Sequence, residues 1–412
     1  MTKTSTFSVV RASWALFLAL ALVMVGNGLQ GSLIGVRTQV EGFSDLATGL
    51  IITGYFAGFL VGSWFIPQVL RKVGHIRVFV GLASAMSSVL LVYAIWVTPY
   101  SWIFLRIVAG VAMAGLYVTV ESWLNELATN ENRGKTMSAY MVVMTGAIIA
   151  GQGLLGTASV RGFVLFIVAS LAVSLAIVPL ALSPIPAPRF DLPESLSLKQ
   201  LFRMAPLGVV SGFLTGASNG ALFGMTAVWA TAAGLAPARV GVLVAAGLAG
   251  SLVFQWPLGA LSDRLPRRRV IFGAGVVAVV ASVFALGIDP HSTMMAVVFF
   301  FYGGVTYPLY SLSASLVNDM VPKEQLVAAA SGFVFIVGLG AVVGPLSVTA
   351  LTGALGPDGF FWALGLLLLP VAIFSLWRIY RYVAPSQRPY IFVPARTTSL
   401  LISGVLRRRN SR

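Results

Sequence analysis

The chain has 412 residues, of which 58% are hydrophobic and only 9% are charged, and its formal net charge is +15. Soluble domains carry roughly a quarter charged residues, so this composition excludes a soluble globular protein. The lack of cysteine excludes disulfides and thiolate chemistry. We expect no metal or cofactor, because the two histidines, His75 and His291, are far apart and lie in or near loops.

Twelve apolar stretches follow one another along the chain, each close to the roughly 20 residues that a helix needs to cross a membrane. The alternation typical of strands is absent, so each stretch must satisfy its own backbone polar groups as a helix. We predict membrane-spanning helices near residues 12–36, 45–70, 77–97, 101–124, 136–158, 162–182, 205–234, 240–261, 270–287, 293–317, 327–352 and 359–380.

The basic residues are distributed unequally between the two sides of the predicted membrane. Of the 27 Lys and Arg residues, all but four fall in the N-terminal segment, in the loops on the same side or in the C-terminal tail. The other side has only Arg37, Arg161 and Arg239, and Arg106 lies inside a predicted span. Because basic loops stay in the cytoplasm, we expect both termini there. The net charge then indicates contact with anionic membrane lipids, and we expect no nucleic acid partner.

Residues of the first half recur in the second half at a shift of 192 or 193 positions. An ordered series at a nearly constant shift indicates two parallel repeats of six spans each. We therefore predict an all-α membrane protein with twelve transmembrane helices in two pseudo-symmetric six-helix bundles. The recurring residues include Asn27 and Asn219, Gly58 and Gly250, Trp64 and Trp256, Gly110 and Gly303, and Tyr117 and Tyr310.

The repeat divides the chain into four segments. We predict an N-terminal bundle over residues 1–182, a cytoplasmic linker over 183–204, a C-terminal bundle over 205–382 and a basic cytoplasmic tail over 383–412. The linker has four prolines, and its end is expected to form a short amphipathic helix on the membrane surface. We expect anionic lipid to hold the tail, with a partner-binding motif as the alternative.

The loop between spans 8 and 9 carries the most distinctive local motif. It reads Gly259-Ala-Leu-Ser-Asp263-Arg264-Leu-Pro and continues with three arginines from Arg267. This sequence resembles the loop signature G-x-L-x-D-R-x-G-R-R of the major facilitator superfamily. The glycine would let the helix end pack against a neighbour, and the aspartate can cap a facing helix and pair with arginines. Such a cluster can close the cytoplasmic side as a gate; the alternative is an ordinary basic loop.

The corresponding loop of the first half departs from the superfamily pattern, because Pro67 replaces the glycine and Arg71 replaces the aspartate. Acids at two equivalent span ends, Glu126 and Asp319, can complete the gate by pairing with loop cations. The alternative is that each acid is a solvated surface charge. The expected pairs are Glu126 with Arg71 or Lys72, and Asp319 with Arg264 or Arg267.

Two charged residues lie within predicted span 4. Arg106 begins the motif Arg106-x-x-x-Gly110, which is similar to an R-x-x-x-G pattern of the superfamily. Charge in hydrocarbon is costly, so we expect Arg106 to face a wet cavity or to snorkel to the surface. Glu121 lies about one turn from the cytoplasmic end, where it can exchange a proton during transport or pair with a cytoplasmic arginine. The two side chains are about 22 Å apart along the helix, so they cannot pair directly.

Further polar side chains lie deep in spans 1, 5, 7 and 10. Amides in spans 1 and 7 can orient a solute or join helices. In the superfamily, spans 1, 4, 7 and 10 line the cavity, so the tyrosines of span 10 either form part of its wall or are ordinary packing residues. Gln152 of span 5 stands where the superfamily's antiporters carry a proline. The candidate substrate or coupling residues are Asn27, Gln30, Arg106, Glu121, Gln152, Asn219, Tyr302 and Tyr307.

The resemblance to the major facilitator superfamily covers about residues 10–382, and the stretch from Arg106 to Gly156 is similar to the YcaD-like branch of bacterial permeases. It implies a carrier of the bacterial inner membrane with the major facilitator fold, working by alternating access. No nucleotide-binding loop or nucleophile–base pair is present, so we expect no enzyme.

We expect a monomeric, proton-coupled exporter of a small amphipathic or apolar solute. The alternatives are proton-linked uptake of a neutral polar solute such as a sugar, and a receptor or scaffold that does not transport.

Overall fold

Long helices make up most of the residues that this computed structural model describes, which are 13–128, 132–182, 197–322 and 325–381. Most of the predicted linker and the whole basic tail lie outside the described residues. Beyond Ala176 the chain continues as a short helix, Ile177–Ala181. The twelve long helices are α1 (Trp14–Val40), α2 (Asp45–Val73), α3 (His75–Ile95), α4 (Pro99–Leu127), α5 (Arg133–Gly153), α6 (Val164–Leu175), α7 (Pro206–Ala232), α8 (Pro237–Arg264), α9 (Arg267–Ala285), α10 (Thr293–Met320), α11 (Leu326–Leu355) and α12 (Gly359–Arg381).

These helices confirm the predicted fold class. Among the described residues, ten stretches are long and apolar enough to cross a membrane, and the last, Ala328–Arg381, contains both α11 and α12. Helix α7 is not among the ten, because residues such as Ser211, Thr215 and Ser218 lower its hydropathy. Those side chains are buried, so neighbouring helices surround α7 and shield its polar groups from lipid.

The starts of several helices follow directly from the local sequence. Pro99, Pro206 and Pro237 occupy the first turn of α4, α7 and α8, where the N–H that proline lacks has no partner within the helix. The hydroxyls of Ser44 and Thr98 accept hydrogen bonds from backbone N–H groups at the starts of α2 and α4. These signals hold the helix ends at the membrane boundaries.

The two halves use the same helix pairs. Helix α2 packs on α4 as α8 packs on α10, α1 packs on α5 as α7 packs on α11, and α3 packs on α6 as α9 packs on α12. A Cβ added at Gly58 would collide with the carbonyl oxygen of Ile107, and one added at the equivalent Gly250 would collide with that of Phe300. Glycine therefore permits the same close helix contact in both repeats.

The two ends of the bundle differ in charge. We name the end with Arg71, Lys72 and Arg267–Arg269 the basic face, and the other end, where α2 and α8 begin at Asp45 and Pro237, the opposite face. The halves meet mainly through three helix pairs, which are α1 with α7, α2 with α11 and α5 with α8, with smaller contacts of α2 with α7 and of α1 with α8.

Close contacts between the halves lie near the opposite face. A Cβ placed on Gly35 of α1 would be 2.9 Å from the Cβ of Ala227 on α7. One placed on Gly49 of α2 would be 3.0 Å from the Cβ of Thr349 on α11. At these depths the helix backbones approach so closely that a side chain larger than a hydrogen atom would force them apart.

The interface between α2 and α11 opens toward the basic face. The side chain of Leu60 on α2 contacts Gly338 on α11. One helical turn nearer the basic face, Trp64 and Val334 are 69% and 43% exposed. The two helices therefore diverge beyond the contact between Leu60 and Gly338.

One expectation about the basic face needs correction. The end of the linker does form a helix, Leu198–Met204, but Leu201 is fully buried beside Phe333 of the C-terminal half. An apolar cluster therefore anchors this helix to the protein, which differs from a helix that only rests on the membrane. His75 begins α3 with a buried ring, and its Nε2 lies 2.9 Å from Oγ of Ser122, because α2 turns directly into α3.

Candidate functional site

A polar cluster inside the N-terminal half surrounds Arg106. The hydroxyl of Tyr55 donates a hydrogen bond to Oδ1 of Asn27 at 3.0 Å, and the Tyr55 ring centroid lies 4.4 Å from Cζ of Arg106. The hydroxyl of Tyr93 also lies near the guanidinium. Arg106 is 2% exposed, and no described carboxylate lies within 4 Å of it. Arg106 therefore neither snorkels nor faces open water; aromatic rings take the place of a counter-charge.

Gln30 lies one turn from Asn27 on the same face of α1. Its side chain is fully buried, and neither amide atom has a hydrogen-bond partner in the described structure. The Nε and Nη1 atoms of Arg106 are likewise without hydrogen-bond partners. Buried polar groups normally have partners, so this half retains hydrogen-bonding capacity for a solute or for ordered water.

The C-terminal half has an uncharged counterpart of this cluster. The hydroxyls of Tyr302 and Ser218 share a hydrogen bond of 2.7 Å. Asn219 is half-buried, and its Oδ1 has no partner among the described residues. In the repeat, Asn219 corresponds to Asn27, and Gly247 corresponds to Tyr55. Because glycine has no hydroxyl, Asn219 lacks the hydrogen bond that Asn27 accepts from Tyr55.

Glu121 faces tyrosines contributed by both halves. Its side chain is exposed, and Tyr117 of α4, Tyr140 of α5 and Tyr310 of α10 are near enough to interact with its charge. Since α4 and α10 belong to different halves, Glu121 lies at the opening between them, toward the basic face. Tyr307 is one turn deeper on α10 and half-buried.

Gln152 joins α5 to α1 and does not face a solute. Its Nε2 donates to the backbone oxygen of Gly28 at 2.8 Å, and its Oε1 accepts from Oγ of Ser32 at 2.6 Å. Because the protein satisfies both polar ends of this buried side chain, the expected contact with substrate is not available in this conformation.

A charge cluster at the basic face connects α8, α9 and α10. Nε of Arg267 donates to Oδ2 of Asp319 at 2.6 Å, and Nη1 of Arg267 donates to Oγ of Ser262 at 2.7 Å. Asp263 lies 4.0 Å from Arg267, and Arg264 is exposed and in no described ion pair. The cluster lies within one half, and its role as a gate stays a prediction.

Two parts of the predicted gate differ from expectation. Glu126 is exposed and forms no ion pair within 4 Å with Arg71 or Lys72, which are also exposed. Water solvates charges at such helix ends, so pairing gains little there. Gly259 has no atom within 4 Å of its Cβ position, so it makes no close helix contact.

The sequence analysis missed Tyr55, Tyr93 and Tyr117, and it considered Tyr310 only as one of the span 10 tyrosines. Tyr55 and Tyr93 lie beside the guanidinium of Arg106, and Tyr117 and Tyr310 are near enough to interact with the charge of Glu121. The equivalence of Tyr117 and Tyr310 in the repeat was an available signal, because a shared aromatic on cavity helices suggests a wall residue. Tyr55 and Tyr93 carry no comparable signal, since packing of separate helices brings them together.

Two six-helix halves that meet at one end and diverge at the other, with charged residues at the opening, define the twelve-helix class of membrane transport proteins. The chain belongs to the Major Facilitator Superfamily, whose sequence model matches residues 16–236 and again residues 208–410. It is therefore a multi-pass membrane transporter and not an enzyme. The two matches begin 192 residues apart, which agrees with the internal repeat.

Similar proteins confirm the resemblance to the YcaD-like branch. An uncharacterised MFS-type transporter, YcaD of Escherichia coli, is 28% identical over 339 residues, which cover 81% of this chain and 86% of the relative. YcaD of Escherichia fergusonii is 25% identical over 334 residues, with the same two coverages.

Two solved structures share the fold. The nucleoside transporter NupG has a TM-score of 0.72 at 13% identity, covering 90% of this chain and 99% of that one. A bacterial homologue of the human lysosomal transporter Spinster, in an inward-facing and unoccupied conformation, has a TM-score of 0.70 at 14% identity, covering 92% and 96%.

Proposed function

We propose that this protein is a secondary active transporter that works by alternating access, is coupled to protons and exports a small amphipathic or apolar organic solute. We place it in the bacterial inner membrane, in contact with lipids and acting as a monomer, because one chain supplies both halves of the path. The predicted bundle boundaries, 1–182 and 205–382, belong to the same proposal.

One observation carries the proposal, which is that the halves meet near the opposite face and diverge toward the basic face. Gly35 packs against Ala227 at the closed end, whereas Trp64 and Glu121 are exposed nearer the basic face. A path closed at one end and open at the other is the starting geometry for two halves that rock about a central site.

The charge distribution supports an orientation with the basic face in the cytoplasm. Arg71 and Arg267–Arg269 lie on that face, and Arg37, Arg161 and Arg239 are the cations of the opposite face in the described structure. Cytoplasmic loops carry the excess of basic residues, so both termini are cytoplasmic and this conformation is open to the cytoplasm.

Glu121 supports coupling to protons. Its carboxylate lies at the opening between the halves and has no described ion-pair partner within 4 Å. The equivalent residue of the second half is Ala314, so the repeated scaffold does not require an acid here. A carboxyl group at this place can take up a proton from one compartment and release it to the other as access alternates.

The residues near the opening support an amphipathic or apolar solute. Tyr117, Tyr307 and Tyr310 provide aromatic surface with few charges, which suits a partly apolar molecule. The second candidate function is proton-linked uptake of a neutral polar solute. The unpartnered amides of Gln30 and Asn219 favour it, because they can bind hydroxyl or carbonyl groups. A nucleoside, named as the solute of NupG, is one such molecule.

The experiment starts with a thermal-shift screen of purified protein against organic solutes at two pH values. Stabilising solutes are then tested for flux into or out of proteoliposomes under an imposed pH gradient. We expect flux that follows the gradient for amphipathic solutes. A stabilising solute that shows no flux under any gradient would favour the alternative of a receptor or scaffold.

A cysteine pair tests the alternating mechanism. The natural chain has no cysteine, so Gly35→Cys with Ala227→Cys gives one cross-link without background. The two Cβ positions are 2.9 Å apart and reach disulfide distance after a small adjustment. Oxidation of the double variant should abolish flux and reduction should restore it. The reduced double variant is the control, because Gly35→Cys by itself crowds Ala227. Undiminished flux in the oxidised pair would rule out opening at this face.

A further inference from the structure

A second cavity of about 140 Å³ lies between the halves at the opposite face. The N-terminal half contributes Gln39 and Asp45, and the C-terminal half contributes Met225, Trp229 and Val348. Close contacts between the halves separate this cavity from the opening at the basic face. It is therefore not part of the proposed solute site.

Trp229, which lines the cavity, belongs to a cluster of packed aromatic rings. The Trp229 ring stacks on Phe360 with centroids 5.4 Å apart and an interplanar angle of 15°, and it meets Phe361 edge-on at 4.8 Å. An apolar cavity of about 150 Å³ takes a benzene molecule, so this cavity has room for one six-membered ring.

The rim of the cavity carries negative charge that no nearby cation neutralises. Asp45 is exposed, and no described Lys or Arg lies within 4 Å of its carboxylate. Arg37 is engaged elsewhere, because its Nε lies 2.5 Å from a carboxylate oxygen of Glu41. Asp358 directly follows Pro357, which also lines the cavity, and adds a second negative charge.

We propose that this cavity binds a small organic cation with one ring and one ammonium group. The ring lies against Trp229, and the ammonium group binds the carboxylate of Asp45 and the amide oxygen of Gln39. A neutral ring compound gains only the apolar contact, and an anionic one is repelled by the rim.

The cavity walls come from both halves, so amine binding depends on how the halves are placed. The amine binds the conformation in which the opposite face is closed, and it stabilises that conformation. By reciprocity, opening of the opposite face weakens amine binding. An amine added on the side of the opposite face therefore slows transport. This effect on flux rests on the proposed function, whereas binding of the amine to the cavity does not.

Benzylamine, benzyl alcohol and benzoate are matched probes for calorimetry with the purified full-length protein. We expect benzylamine to bind about fivefold more tightly than benzyl alcohol, which is the scale of one exposed ion pair, and benzoate not to bind. Asp45→Asn should remove the preference for the amine and leave alcohol binding unchanged. Ser44 still caps α2 in this variant. Asp289→Asn, at the same face but not in the cavity lining, is the control.

Filling the cavity provides a second test. Val348→Trp should abolish binding of benzylamine and benzyl alcohol. Val348→Met adds less bulk and should weaken the binding of both, so it provides the test if the Trp variant does not fold. Equal binding of the three probes, an unchanged preference in Asp45→Asn, or full binding in both Val348 variants would overturn the site.

The cross-linked variant with Cys at Gly35 and Ala227 separates this inference from the transport cycle. Its opposite face is held closed after oxidation, so the oxidised form should bind benzylamine as tightly as the reduced form of the same variant. Loss of binding there would contradict the site. Full binding in a protein that transports nothing would contradict only the proposed function.

Discussion

The guanidinium carbon of Arg106 lies 4.4 Å from the ring centroid of Tyr55, and the Tyr55 hydroxyl donates to Asn27 at 3.0 Å. One tyrosine therefore joins α1, α2 and α4 by two different interactions. We expect Tyr55→Leu to lower the free energy of unfolding by about 2 kcal/mol or more, because it removes a buried cation–π contact and a hydrogen bond.

Tyr55→Phe separates the two contributions, since it keeps the ring and loses the hydroxyl. Its cost should be about 1 kcal/mol, the scale of one hydrogen bond. Denaturation of both variants in the same detergent measures the difference. Equal losses for Leu and Phe would show that the ring face does not stabilise the arginine.

Glu121→Gln should abolish or uncouple proton-driven flux while the protein folds normally. Glutamine keeps the size of the side chain but cannot bind and release a proton. Flux in proteoliposomes at several pH gradients measures the effect. Glu126→Gln, on the same helix and also exposed, is the matched control and should behave like the natural protein. Wild-type flux with unchanged pH dependence in Glu121→Gln would exclude the coupling role.

Asp319→Asn should shift the conformational balance more than Asp263→Asn does, because Asp319 lies 2.6 Å from Arg267 and Asp263 lies 4.0 Å away. Arg267 and Asp319 are 25% and 50% exposed, so the cost in stability should be less than about 1 kcal/mol. Labelling of Cys introduced at Ala314, near the opening, measures accessibility. Unchanged labelling in both variants would remove the gate hypothesis.

Gln152→Leu should destabilise the protein by about 1–3 kcal/mol, because the buried groups of Gly28 and Ser32 lose their partners. Gln255→Leu is the control, since that glutamine also donates one hydrogen bond, to Ser311 at 2.8 Å, but is exposed. Thermal unfolding of the two variants compares them directly. A similar shift for both would mean that burial of Gln152 adds nothing.

Gly58→Ala should cost about 1–3 kcal/mol, because its Cβ collides with the backbone of Ile107. Gly81→Ala should be neutral or stabilising by up to about 1 kcal/mol, since no atom lies within 4 Å of that Cβ position and alanine favours a helix. Both glycines recur in the repeat, so recurrence alone would predict equal effects. The unfolding midpoints of the two variants test this difference. Equal midpoints would contradict the explanation from helix packing.

The sequence was sufficient to predict twelve helices in two related halves. Apolar length is a local property of each span, and pairs such as Gly58 and Gly250 record the shared packing of both halves. Helix α7 was also predicted from its apolar length, although it is not among the ten stretches of the described residues that are apolar enough to cross a membrane. The fold class therefore needed no information about which helices touch.

The details of the candidate site could not be predicted in the same way. The contact between Tyr55 and Arg106 depends on the register of α2 against α4, which no spacing within one helix determines. The open surroundings of Gly259 depend on how the end of α8 packs against other helices, which the loop motif alone does not determine. Gln152 was a candidate because it is polar and deep, but its partners on α1 show that depth alone does not identify a solute contact.

The contacts near the opposite face have a consequence for the response to salt. Gly35 and Gly49 meet Ala227 and Thr349 through close van der Waals contact, and the described ion pairs each lie within one half. Screening by dissolved ions weakens Coulomb attraction but leaves such contacts nearly unchanged. The closure near the opposite face should therefore be insensitive to the salt concentration of the buffer, while the partly exposed ion pair of Arg267 and Asp319 weakens as ionic strength rises.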